Sequence, residues 1–429
     1  MMLFMPKTCA ALLLGLLLGS AEASEAPMTS SSEQGGFAIE RVVLFARHGV
    51  RPPTKSAQAM GAYSDKAWPD DQAWGAAPAE LTPHGALAIA QLGRQLRHYY
   101  AQAGLLPVAG SIANQTVIWA DGADQRTRET AKTFAVALNQ TSSAKIGAPI
   151  SVGWSEQEID PMIDSLGAQV CKLNPDDAKK AVLAQGAVDA PELSADLAKL
   201  QTILAPQACQ GGAGTCFANP NKLVATEREV KISGPLSTAA TVTEAFLLEY
   251  ENALPMEQVA FGRANAADIG QLLSIHEHTS NLTRRTPYIA QRRAFRLVQF
   301  ILAALSEQSV SSTTPAITAQ QNLILLAGHD TNLSNLAGVF GLAWQLPDQP
   351  DSTAPGTTLA FERWRNAKTG QVVVKMRVFY QGLEQVRQLL DQPLHSVELN
   401  PALCKNSSSC ELDSFVSQIK SSLPNDCAQ

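Results

Sequence analysis

The chain has 429 residues, with 33 Lys and Arg against 39 Asp and Glu and a formal net charge of -6. At about 150 residues per domain, that length predicts two or three domains with a sizeable core. Hydrophobic residues make up 45% and charged residues 17%, which excludes collagen-like, low-complexity and wholly disordered chains and, with the mild acidity, argues against a nucleic-acid binder.

At the N-terminus, Lys7 precedes an apolar run from Ala10 to Leu18, and Ala21-Glu22-Ala23 supplies small residues at A-x-A positions. This is the layout of a secretory signal peptide, residues 1–23, cleaved after Ala23. The run is too short to span a bilayer, and no later stretch approaches 18 uninterrupted apolar residues. The expectation is an exported chain, periplasmic or secreted, with no membrane attachment in its mature form.

Further along, RVVLFA (41–46) is a short apolar strand followed at once by Arg47-His48-Gly49. A helix is predicted over 82–100, with Thr82 as its cap and Pro83 at its first position. TVIWA (116–120) is a second strand, ending in the polar turn Asp121-Gly122-Ala123-Asp124 before helical spacing over 126–138. Between about 155 and 285 the texture changes to Ala- and Leu-rich helical spacing over 176–204 and 237–250, with one strand-like run over 224–232. LILLA (323–327) is a third strand, followed by Gly328-His329-Asp330 and a helix over 331–340; a Pro-rich loop covers 349–356, and Val372 to Tyr380 reads as a further strand. Short apolar strands alternating with helices predict an α/β fold with a doubly wound, mostly parallel sheet. The expected division is an α/β domain of residues 24–154 and 286–429, with residues 155–285 as a smaller, largely helical insertion.

Beyond the leader there are six cysteines, an even count that in an oxidising compartment favours disulfides; no C-x-x-C spacing is present. Cys209 and Cys216 flank a Gly-rich turn, and Cys404 and Cys410 flank Ser-rich residues, so both pairs can close small rings. That leaves Cys171 with Cys427.

The chemistry collects where the three strands end. In RHGVRPPT (47–54) a histidine lies between Arg47 and Arg51, and the carboxyl ends of strands are where open α/β sheets bind ligands. Two guanidinium forks suit a phosphate. An imidazole among cations resists protonation and stays nucleophilic in acid. The second end adds Arg126 at a helix start, where free N–H groups also favour an anion. The third adds His329 as a phosphate ligand and Asp330 as a proton source for a leaving alcohol. A basic loop or a helix cap explains any one of these ends; neither explains all three.

ARHGVRPPT followed far downstream by GHDTN resembles the histidine acid phosphatase family, the RHGxRxP/HD branch of the histidine phosphatase superfamily. Within it the chain is most similar to bacterial phytases and glucose-1-phosphatases. The resemblance also covers DQRTR (124–128), TEAFLL (243–248), RTPYIA (285–290) and FERW (361–364). It implies His48 as the nucleophile that becomes a phosphohistidine. It implies Arg47, Arg51, Arg126 and His329 as the phosphate clamp, and Asp330 as the proton donor. Thr54 and Lys55 match positions at the cleft entrance, Glu244 and His276 match positions on the helical side, and Thr331 follows the His-Asp pair as in phytases. The family's fold, an α/β domain with a smaller α-domain, agrees with the segmentation above. The resemblance departs in two places: no cysteine lies between 24 and 170 for the phytases' additional disulfide, and the Asp121–Arg126 turn is one residue longer.

The expected activity is hydrolysis of small phosphate esters in acid, phytate (myo-inositol hexakisphosphate) foremost, by a monomer that uses no metal or cofactor. The alternatives are a glucose-1-phosphatase, a broad acid phosphatase, or a non-catalytic binder of phosphate esters. A binder needs the arginines but has no use for both His48 and Asp330.

Overall fold

The computed structural model describes residues 36–140, 148–306, 309–310, 314–405 and 407–428; the leader read at residues 1–23 lies outside the described residues. Its strands are β1 (Phe37–Arg47), β2 (Thr116–Ala120), β3 (Val152–Trp154), β4 (Lys222–Ala225), β5 (Val230–Ser233), β6 (Leu323–Gly328), β7 (Thr358–Asn366), β8 (Val372–Tyr380), β9 (His395–Leu399) and β10 (Ser409–Glu411). β4 and β5 form a hairpin, and the rest form one sheet ordered β10-β8-β7-β1-β6-β2-β3, with β9 also paired to β8.

β1, β6, β2 and β3 run parallel, whereas β7 and β8 continue the sheet antiparallel. The change of direction has a local cause. Residues 367–371 alone separate β7 from β8, too few for the crossover that a parallel pair needs.

The parallel strands are covered on both faces. Val43, Phe45, Ile324 and Leu326 face the helices Phe295–Ser306 and Asp330–Phe340. Val42, Leu44, Leu323 and Leu325 face the helices Pro83–Gln102 and Gln125–Asn139. Burial on both faces is why these strands read as unbroken apolar runs. Each such side chain contributes roughly 1.5–3 kcal/mol on leaving water.

The helical stretch expected over 176–204 is two helices, Pro175–Gln185 and Ser194–Leu204. The break falls around Pro191, which cannot donate to a continuing helix. The strand-like run over 224–232 is the β4–β5 hairpin, turning at Thr226, whose N–H donates to the Glu229 carbonyl (2.8 Å). With the helices Pro235–Glu251 and Ala266–Thr283, these elements enclose a third core around Leu200, Phe246, Leu248, Leu272 and Ile275. Disulfides join Cys171 to Cys427, Cys209 to Cys216, and Cys404 to Cys410. Among the described residues, no helix is long and apolar enough to cross a membrane.

What positions the site is register. Arg47 lies opposite Gly328 and Ala120 opposite Ala327. The three strands therefore end flush, and His48, Asp121 and His329 leave the sheet at one edge.

Candidate active site

The His48 backbone is fixed by its own N–H, which donates to the Gly328 carbonyl (2.9 Å). The loop then passes so close to the start of the helix Pro83–Gln102 that side chains are excluded on both sides. A Cβ on Gly49 would lie 2.8 Å from Leu81 and Ile89, and one on Gly85 would lie 2.5 Å from the Val50 carbonyl. The glycine of the Arg-His-Gly triplet is thus set by close approach.

His48 is almost fully buried. Its Nδ1–H donates to the Gly49 carbonyl (2.8 Å), which leaves the Nε2 lone pair for chemistry. Burial first, then the charges of Arg51, Arg47 and Arg126, push the imidazole well below its ordinary pKa. This environment favours the neutral imidazole.

Arg51, Arg126, His329 and Asp330 line the same cavity as His48, a space of about 340 Å³. Arg126 Nη1 donates to Asp124 Oδ1 (2.8 Å), and its Nη2 lies 3.5 Å from His329 Nδ1. The His48 and His329 rings meet edge-on with centroids 5.5 Å apart. Two cationic forks and two imidazoles around one space suit a tetrahedral oxyanion.

Arg47 sits differently. Its side chain is 0% exposed and does not line that cavity. Nη1 donates to the Thr353 carbonyl (2.6 Å) and to Asp351 Oδ2 (3.3 Å), while Nη2 contacts Glu244 Oε1. An unpaired charge this deep would be prohibitive, and the carboxylates keep it protonated. Glu244 also reaches Arg51 at 3.4 Å. Burial alone would raise the Glu244 carboxyl, but the Arg51 and Arg47 charges outweigh it and hold it at about 2. A phosphate that reaches Arg47 must compete with this carboxylate.

Asp330 opens the helix Asp330–Phe340. Arg284 Nη1 contacts its Oδ2, and His276 Nε2 lies 3.9 Å away. Burial pushes the Asp330 carboxyl up, but Arg284, Arg47 and His276 outweigh it and hold it well below the usual range. Without substrate, Asp330 is a carboxylate.

Glu244 and His276 line a second cavity of about 270 Å³ on the helical side, and Thr331 and Arg293 line both. Thr54 and Lys55 line neither. Both are exposed, and Lys55 Nζ is taken by the Tyr63 hydroxyl.

Four contributors carried no clear sequence signal. Asp351 and the Thr353 carbonyl come from the loop over 349–356, read from its composition as a plain connection. Arg284 precedes the RTPYIA stretch and looks like an ordinary helix-end cation. Asp121 accepts from His329 Nε2 (2.8 Å), with Asp124 at 3.3 Å. Asp121, Asp124 and His329 are the group of metal-ligand atoms that lie close together among the described residues. Arg126 already neutralises Asp124 there, so the cluster reads as an orienting device for the imidazole.

A neutral buried imidazole beside cationic forks, with a carboxyl group across the cavity, defines a phosphoryl-transfer site. Comparison with known proteins names the class. Residues 38–379 match the histidine phosphatase superfamily (branch 2). The chain is 31% identical to phytase AppA of Escherichia coli (strain K12), over 88% of this chain and 90% of the relative. It is 26% identical to the glucose-1-phosphatase of Providencia rettgeri, covering 87% of each. It superposes on the phytase of Hafnia alvei, in a structure with myo-inositol hexakis sulphate, at a TM-score of 0.83 and 31% identity, over 92% of this chain and 99% of that one. The chain belongs to branch 2 of the histidine phosphatase superfamily and is a phosphoric monoester hydrolase.

Proposed function

We propose that this enzyme is an exported acid phosphatase whose preferred substrate is phytate, with residues 155–285 as the helical wall of the substrate cleft. His48 Nε2 attacks phosphorus in line, forming a phosphohistidine as the ester P–O bond breaks. Arg51, Arg126 and His329 hold the phosphoryl oxygens, and Arg47 adds charge from below as Glu244 yields to the incoming phosphate. Asp330 gives its proton to the departing ester oxygen. A phosphate beside Asp330 adds negative charge that raises its carboxyl toward protonation, and the same residue then deprotonates the water that hydrolyses the adduct.

The observation that carries this reading is the neutral His48 facing Arg51, Arg126, His329 and Asp330 in one cavity. The second cavity beside it supports a substrate larger than a simple alkyl phosphate. Likeness to the phytases of Escherichia coli and Hafnia alvei supports phytate in particular. The test is kcat/KM in mild acid for phytate, glucose 1-phosphate and p-nitrophenyl phosphate. Phytate should lead clearly. A lead for glucose 1-phosphate would assign the other reading within the family, and phosphate binding without hydrolysis of any of the three would reduce the site to a binder.

A further inference from the structure

Arg284 caps the C-terminal end of the helix Ala266–Thr283, on the wall of the second cavity. One end of its guanidinium contacts Asp330, yet its side chain is 30% exposed while that of Asp330 is 11% exposed. The second cavity, which Arg284 lines, also holds Lys231 and Arg293. Lys231 pairs with Glu229 (2.8 Å) and Arg293 with Asp164 (3.1 Å), both at partly exposed positions. His276 is buried in the same wall, and its Nε2 has no hydrogen-bond partner among the described residues.

We propose that Arg284 is a specificity-determining residue that changes partners: it pairs with Asp330 in the free enzyme and with a second phosphate of a polyphosphorylated substrate in the complex. The inference rests on the phosphatase reading above and deepens it. The Arg284 end of the pair is partly open to solvent, so the guanidinium can leave Asp330 without its own charge being buried unpaired, and a phosphate offers it a bidentate, doubly charged partner. Arg47 cannot turn to a second phosphate in this way, because Asp351 and the Thr353 carbonyl hold it below the cavity even where Glu244 yields.

Departure of Arg284 changes what Asp330 can do. The charged groups around its carboxyl are Arg284 and His276 from one helix, Arg47 from β1, Glu244 from the facing helix and Arg126 from the helix after β2. Arg284 is the strongest of these in keeping it ionised. Once Arg284 turns to a second phosphate, Asp330 can take up the proton that it delivers to the ester oxygen. A substrate with a single phosphate leaves Arg284 where it was and meets an acid that is protonated only at lower pH.

The experiment compares wild type, Arg284→Gln and Arg284→Lys on myo-inositol hexakisphosphate and on glycerol 2-phosphate from pH 3 to 8. With the hexakisphosphate, Arg284→Gln should raise KM roughly ten- to hundred-fold, the loss of a charged hydrogen-bonding partner. With glycerol 2-phosphate, its alkaline limb of kcat/KM should move up by about one pH unit, because a neighbouring cation has gone. Arg284→Lys should restore both features in part. Equal losses on both substrates with an unmoved limb would overturn the inference, since that is what a structural role produces. If wild type shows no preference for the hexakisphosphate, the phytate reading fails by itself. The comparison is then made between fructose 1,6-bisphosphate and fructose 6-phosphate: selective loss on the bisphosphate supports the inference, and equal loss overturns it.

Discussion

Glu249 sits on the buried face of the helix Pro235–Glu251 with no charged partner among the described residues. Its Oε2 accepts the Ala260 N–H (2.8 Å), and Oε1 has no hydrogen-bond partner among the described residues. Burial pushes its carboxyl from an ordinary 4.5 up to about 8, against a smaller opposing pull from the Ala260 N–H. Below about pH 4.5 the folded and unfolded chains both carry the proton. Between 4.5 and about 8 the unfolded chain releases it while the folded chain holds it, so stability falls with each pH unit. At about 1.4 kcal/mol per unit, the interval from 4.5 to about 8 is worth on the order of 5 kcal/mol. Glu251, also raised to about 8 by burial, adds to the same slope. Glu249→Gln keeps an oxygen for Ala260 and removes the titration. Urea unfolding followed by tryptophan fluorescence at pH 4.5, 6 and 8 should show wild type weakening steadily, and the variant weakening by several kcal/mol less across that range. Parallel stability curves for the two proteins would refute the reasoning.

Asp330→Asn should cut hydrolysis of glycerol or inositol phosphates about 10²–10⁴-fold, and of p-nitrophenyl phosphate clearly less, because a phenolate departs without a proton; kcat/KM across leaving groups of graded pKa reads this directly. Arg126→Ala, which on the proposed mechanism removes a phosphate ligand common to all substrates, should lower kcat/KM by a similar factor for each member of that same series. Asp121→Ala frees the His329 ring and should cost roughly ten-fold in kcat/KM on p-nitrophenyl phosphate, the loss of one charge-assisted hydrogen bond, with Tm little changed. Gly85→Ala drives a methyl group into the Val50 backbone, so activity and Tm should fall together, as measured by assay and thermal unfolding.

The sheet was legible because burial on both faces writes itself as unbroken runs such as LILLA, and the site residues were legible because they follow those runs directly. His48, Arg51, Arg126, His329 and Asp330 need only the flush register of β1, β2 and β6 to meet. The helix Ala266–Thr283 gave no such signal, since most of its faces are apolar or small and its period is blurred. Asp351 and Arg284 were hidden for another reason. Each acts through a contact across the chain, to Arg47 304 residues away and to Asp330 46 residues away, and neither sits in a pattern that marks it. Lys55 shows the converse: its place after the catalytic loop pointed to the cleft, but a tyrosine hydroxyl eight residues on engages it instead.

The proposed mechanism requires His48 to carry the phosphoryl group. Turnover of a ³²P-labelled phosphate ester, stopped within milliseconds by alkali, should trap a protein-bound label that survives base and is lost in acid. His48→Ala should show neither label nor activity while unfolding at the wild-type temperature. A His48→Ala protein that still turns over substrate would contradict the account.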